Sequence, residues 1–143
     1  MFDRLVKDMM DTGRARTVSP DMTVTDAAKV MAKAKFGAVL VVEREHLKGI
    51  FTERDALFRV VAQGLDPART PVAQVMTPEP HTVGPNDTYG YALVVMQEGG
   101  FRHAPVVEDG KPVGIVSSRN AMDPDLEEFV SEASRRTHLR KGR

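Results

Sequence analysis

The chain has no cysteine. Disulfides, thiol catalysis and thiolate metal sites are therefore excluded, and a reducing compartment fits. There is no charge excess of either sign, with 20 Lys and Arg against 20 Asp and Glu. The whole-chain field therefore draws neither nucleic acid nor an anionic membrane. The longest apolar runs, such as 38–42, are far too short to span a bilayer. The opening Met1-Phe2-Asp3-Arg4 carries an acid early and no apolar run behind it. It does not read as a signal peptide, and the expected location is cytoplasmic. The four histidines (His46, His81, His103, His138) are scattered without metal-ligand spacing. No Gly-x-Ser-x-Gly, phosphate-binding glycine loop with lysine, or Gly-x-Gly-x-x-Gly is present. These absences assign no catalytic residue and no metal, and they argue against an enzyme.

What is present is a repeat. Shifted by 65 positions, residues 17–57 align with 82–122 without a gap, and 15 of the 41 pairs are identical. The identities include Thr17/Thr82, Val18/Val83, Pro20/Pro85, Met31/Met96, Phe36/Phe101, Gly49/Gly114, Ile50/Ile115 and Arg54/Arg119. Upstream, Val6 and Met10 match Val72 and Met76 with one residue of slippage.

Each repeat predicts the same order of elements. An extended piece (16–20) leads to a helix from Thr23, whose Thr23-x-x-Asp26 reads as a capping box. Its apolar stripe is Val24, Ala27, Ala28 and Met31, and Gly37 is expected to end it. The apolar run 38–42 suits a strand buried on both faces. A second strand (47–52) and a helix (53–63, stopped by Gly64) follow. The second repeat predicts a helix over 89–97 and strands over 103–108 and 113–117. Asp109-Gly110 makes the hairpin turn between those strands.

One repeat is too small to hide its sheet, so two must share a core. The expected class is α/β of the α+β kind. Two pseudo-twofold repeats each carry a small mixed sheet and two packing helices, followed by a C-terminal helix. The expected divisions are repeat 1 (1–65), linker and entry helix of repeat 2 (66–80), repeat 2 (81–122) and a helical tail (123–143). Asp123 caps the tail helix and Pro124 opens it.

Two stretches carry chemistry. Gly49-Ile50-Phe51-Thr52-Glu53-Arg54-Asp55 is echoed by Gly114-Ile115-Val116-Ser117-Ser118-Arg119-Asn120. Thr52-x-x-Asp55 is itself a capping-box pattern. The same geometry also presents free N–H groups to an anion and an acid to ribose hydroxyls. Both readings can hold together. The second stretch is Phe101-Arg102-His103-Ala104-Pro105. Arginine is the preferred bidentate partner of phosphate, and histidine adds a donor; a solvated surface pair is the plainer reading. Repeat 1 has Phe36-Gly37-Ala38-Val39 at these positions, with no phosphate partner, so the halves are not equivalent.

In order and duplication, these motifs resemble a CBS-domain pair (the Bateman module). The matching residues are Thr17-Val18-Ser19-Pro20 and Thr82-Val83-Gly84-Pro85, with Ala104-Pro105-Val106-Val107 and the two Gly-Ile-x-(Thr/Ser)-x-x-(Asp/Asn) endings. The resemblance covers 1–122. It implies clefts between the repeats for adenosine-containing ligands: AMP, ADP, ATP, NAD or S-adenosylmethionine. It implies ribose contacts from Thr52 and Asp55 in one cleft and from Ser117 and Asn120 in the other. It places adenine against backbone around Ala38, Val39, Ala104 and Pro105, with Thr17, Val18, Thr82 and Val83. It makes Arg102 and His103 phosphate contacts, with Arg54 and Arg119 assisting. Asn120 departs from the usual Asp and offers one carbonyl acceptor in place of a carboxylate.

The resemblance also implies a homodimer and an effector protein acting in trans. The adenine nucleotide would be a regulatory ligand, with no cofactor required. Two other readings stay open. One is an interaction or dimerisation module without a ligand. The other is nucleic-acid contact by the tail, whose last nine residues hold five Arg or Lys. Basic residues there also complement a helix dipole.

Overall fold

The computed structural model describes residues 2–12 and 16–121. The expected tail helix over 124–139, its Asp123 cap and its basic end lie outside the described residues, as does the side chain of Asn120.

In the first half, β1 (Arg16–Val18) runs parallel to β2 (Ala38–Glu43). β3 (His46–Thr52) is antiparallel to β2, and β4 (Thr77–Pro78) is antiparallel to β3. The sheet order is β1-β2-β3-β4. In the second half, β5 (His103–Glu108) pairs antiparallel with β6 (Lys111–Ser117). Single bridges stand where β1 and β4 would be: Val83 to Val106, parallel, and Asp11 to Ile115, antiparallel. The register irregularity also repeats, at Val41/Val42 and Val106/Val107.

The lead-in segments cross over. Short helix α1 (Val6–Met9) opens the chain but buries Val6 in the core of the second half. There the Val6 N–H donates to Asp87 O at 2.8 Å, and the Tyr89 N–H donates to Arg4 O at 2.7 Å. The linker helix α4 (Val72–Val75) instead packs into the first half, where the Val72 N–H donates to Met22 O at 2.7 Å.

The long helices obey their sequences. In α2 (Val24–Ala34), Thr23 Oγ1 accepts from the Asp26 N–H, and Val24, Ala27 and Met31 are buried. Ala28 was expected on that stripe but is exposed. In α5 (Tyr89–Gly99), Thr88 caps the start. Tyr89 is fully buried, its hydroxyl donates to Ser117 O at 2.8 Å, and burial pushes the phenol up to about 12. After β3, α3 (Glu53–Asp55) continues into a π-helical stretch, Ala56–Val61, which periodicity did not foretell. Gly64 takes the expected left-handed turn, at φ 68°.

The α2 terminus corrects an expectation. Lys35, not Gly37, is the left-handed cap, at φ 53°. Its counterpart in the other repeat is Gly100, at φ 73°. The hairpins show the same inequality. Asp109-Gly110 forms the expected turn, but Arg44-Glu45 takes positive φ at both positions without a glycine.

Three apolar clusters hold the molecule. One belongs to each half, around Phe51 and around Tyr89. The third, Ala38, Leu40, Ile50 and Ile115, joins the two.

Gly49 and Gly114 let the crossing segments lie flat on the sheets. A Cβ on Gly114 would stand 2.8 Å from Met10 Sδ and 3.0 Å from Asp11 O, and one on Gly49 would stand 2.8 Å from Thr77 O. Gly49→Ala and Gly114→Ala should each destabilise the protein by about 1–3 kcal/mol through overpacking, read as a lowered urea midpoint. Lys35→Gly should act oppositely in the ligand-free protein, raising stability by up to about 1 kcal/mol by relieving the left-handed lysine. A thermal melt showing no gain would mean that Lys35 is held there without strain.

Candidate functional site

A cleft of about 740 Å³ opens between the halves. Strand pairing explains how residues distant in sequence meet there. His103, the first residue of β5, lies opposite Ser117, the last of β6. The Ser118 N–H then donates to Arg102 O at 2.9 Å. The other repeat makes the same bond, from the Glu53 N–H to Gly37 O at 3.0 Å. The start and end of each hairpin therefore come together at the cleft. From the second half, Arg102, His103, Ser117, Ser118 and Arg119 line it. From the first, Lys35, Phe36, Gly37, Glu53 and the small residues Ala28, Ala32 and Ala56 line it. Asp11 comes from the crossing segment.

Three fixed cations (Lys35, Arg102, Arg119) and two carboxylates (Asp11, Glu53) line this space. His103 stands edge-on to Phe36, with centroids 5.4 Å apart. Burial holds its imidazole below the ordinary value, Glu53 pulls the other way, and Arg119 and Arg102 push further down. The ring is therefore neutral at neutral pH, with one nitrogen donating and one accepting. Cations with a neutral imidazole suit a phosphate, and the alanines of α2 leave room for a flat group.

Of the residues singled out in the sequence, the structure gathers Gly37, Arg102, His103, Ser117 and Arg119 on this cleft. Thr52 and Asp55 lie elsewhere, and their capping box is fully formed. Asp55 Oδ2 accepts from the Thr52 N–H at 3.0 Å and from Thr52 Oγ1 at 3.2 Å, while the Asp55 N–H donates to Thr52 Oγ1. Asp55 Oδ1 faces Arg59 Nε and Thr77 Oγ1, each at 3.5 Å. Asp55 therefore looks onto β4, away from the large cleft's lining. Arg54 is exposed; it donates to Gly100 O at 3.2 Å and covers the Phe58 ring. It ties α3 to the end of α5.

The proposed adenine walls are mostly core. Val18, Val39, Val83 and Ala104 are buried within their own halves, and Ala38 lies in the joining cluster. Pro105 is buried too, whereas Thr17 and Thr82 are exposed. Apart from the two threonines, these residues offer a ligand backbone only. Sequence reasoning missed Lys35, Glu53, Ser118 and Asp11 as cleft residues, and Arg59 and Thr77 as the partners of Asp55. The Met10/Met76 match was the available signal, because it aligns Asp11 with Thr77.

Among the described residues, no group of three or more His, Asp or Glu could hold a metal ion. No helix among them is long and apolar enough to cross a membrane.

The CBS domain family model matches residues 6–62 and 72–124. The Bacillus subtilis CBS domain-containing protein YhcV is 41% identical over 112 residues, 78% of this chain and 79% of that protein. The Arabidopsis thaliana protein CBSCBSPB2 is 38% identical over 115 residues, 80% of this chain but only 21% of the plant protein, so similar pairs also occur inside longer chains. Among solved structures, the Pyrobaculum aerophilum CBS domain protein PAE2072, complexed with AMP, superposes with a TM-score of 0.76 at 25% identity, covering 89% of this chain and 98% of that one. The crossed double repeat and these matches together place the chain in the CBS-domain family, as two CBS domains in tandem.

Proposed function

We propose that this CBS pair senses an adenosine-containing nucleotide, which it binds between its repeats, and signals the bound state to a partner protein in trans. The observation that carries the reading is the convergence of Arg102, His103, Arg119 and Lys35 on a cleft of about 740 Å³. That volume is of the size that holds a small ligand. The AMP complex of the Pyrobaculum relative supports the ligand class. Arg102 takes the phosphate in a bidentate pair, and neutral His103 donates one further hydrogen bond.

The signal follows from where the contacts sit. Lys35, Gly37 and Glu53 belong to one half and Arg102 to Arg119 to the other. A ligand that touches both favours the arrangement in which they face each other across the cleft. The population shifts by no more than the ligand's difference in affinity between states. No cofactor and no catalytic step enter this scheme.

Thermal shift tests it, with AMP, ADP, ATP, NAD, S-adenosylmethionine and GTP. A ligand at 100 times its dissociation constant should stabilise by about 2.7 kcal/mol, a rise of several degrees. Arg102→Ala should abolish the rise for ligands in the large cleft. Asp55→Ala should lower the melting point by itself, since it breaks a capping box of about 1 kcal/mol. It should remove a ligand shift only if the Asp55 side binds nucleotide. Folded, nucleotide-free protein that responds to none of the six would favour an interaction module instead.

The same proposal includes a homodimer. Leu57, Phe58 and Val61 of the π-helical stretch and Tyr91 and Val94 of α5 are exposed, Val61 to 68%. Such apolar exposure on helices marks an interaction surface. Val61→Glu should weaken the dimer, seen as a lower weight-average mass in sedimentation equilibrium.

A further inference from the structure

Glu53 is a carboxylate on the wall of a cleft otherwise suited to an anion. It is the first residue of α3, beside the bond that joins its N–H to Gly37 O. Its side chain is drawn across Gly37. A Cβ there would lie 2.8 Å from Glu53 Cδ and 2.9 Å from Oε1. Gly37 is the repeat counterpart of Arg102, so an acid fills, in the first half, the place where the second half puts a guanidinium. The Glu53 carboxylate makes no hydrogen bond or ion pair among the described residues. It is also near enough to act on His103, where its charge opposes those of Arg119 and Arg102. Asp11 adds a second acid to the same lining.

Resting on the nucleotide reading above, we propose that Glu53 is a specificity residue that makes the cleft select nucleotides with one phosphate over those with an extended polyphosphate chain. The first phosphate meets Arg102 and Arg119. Each further phosphate adds negative charge, for which the described lining holds one more cation, Lys35, beside the Asp11 carboxylate and a Glu53 carboxylate with no hydrogen-bond or ion-pair partner among the described residues. Repulsion scales with the charge added, so it falls harder on ATP than on AMP. Gly37 serves the same end, because any side chain there would push the Glu53 carboxylate aside.

Isothermal titration with AMP and ATP, free of divalent cations, tests this on wild type, Glu53→Gln and the control Glu98→Gln, an exposed acid of α5. Wild type should prefer AMP. Glu53→Gln should narrow the AMP-to-ATP ratio by about 10-fold, mostly by tightening ATP, as expected from removing one charge at cleft distance. Glu98→Gln should leave the ratio unchanged. A wild type that prefers ATP overturns the proposal, as does a Glu53→Gln ratio equal to wild type or matched by Glu98→Gln. Failure of every protein to bind either nucleotide overturns the nucleotide reading itself, and the selection with it. AMP binding with an unaltered ratio overturns the selection alone.

Discussion

Backbone passing over backbone at Gly49 and Gly114 is the contact on which the rest of the structure depends. At each glycine a segment from elsewhere in the chain lies against the sheet with no room for a side chain beneath it. At Gly49 that segment is the linker strand, and at Gly114 it is the residues after α1. Each half is completed by residues that precede the other half in sequence. Val6 supplies the second core and Val72 the first. Neither repeat has its full hydrophobic cluster when cut at the midpoint. Cooperativity between the halves is thus built into the chain path as well as into the joining cluster of Leu40, Ile50 and Ile115.

On this symmetric frame, small inequalities decide the chemistry. Gly37 and Ala38 face Arg102 and His103 at equivalent positions, so one half offers space and the other offers charge. Lys35 and Gly100 are equivalent caps, and the lysine brings a cation to the cleft at the cost of a left-handed backbone. Duplication supplies two copies of one geometry, and divergence at positions such as Gly37/Arg102 and Lys35/Gly100 gives the cleft two unlike walls.

How much of this was legible follows from which interactions are local. The 65-residue repeat, the helix cap at Thr23, the buried strand over 38–42 and the Thr52–Asp55 box were readable, because capping and apolar patterning act within a few residues. Arg102, His103, Ser117 and Arg119 were readable as cleft residues through the family pattern. Lys35 as a helix cap was not, because that position usually takes glycine and nothing in the local sequence marks the exception. Nor was the turn at Arg44-Glu45, which is imposed by the pairing of β2 with β3 and not by its own residues. Asp11 and Glu53 reach the cleft through the crossed chain path and the bond to Gly37, contacts that no spacing encodes.

On the Asp55 side, the carboxylate is held by the fold itself. Its Oδ2 is committed to the cap of α3, and its Oδ1 is shared by Arg59 and Thr77. The Arg59 guanidinium also donates to Met76 O at 2.9 Å. Met76 is the residue whose side chain covers Gly49. A ligand hydroxyl competing for Oδ1 must therefore displace Arg59 or Thr77. Either exchange acts directly on the linker strand that closes the first sheet. The π-helical stretch carries Arg59, which reaches both Asp55 and Met76 O. Occupancy at Asp55 would thus be felt first in the linker between the repeats. A ligand in the large cleft would act differently, since it would touch both halves directly.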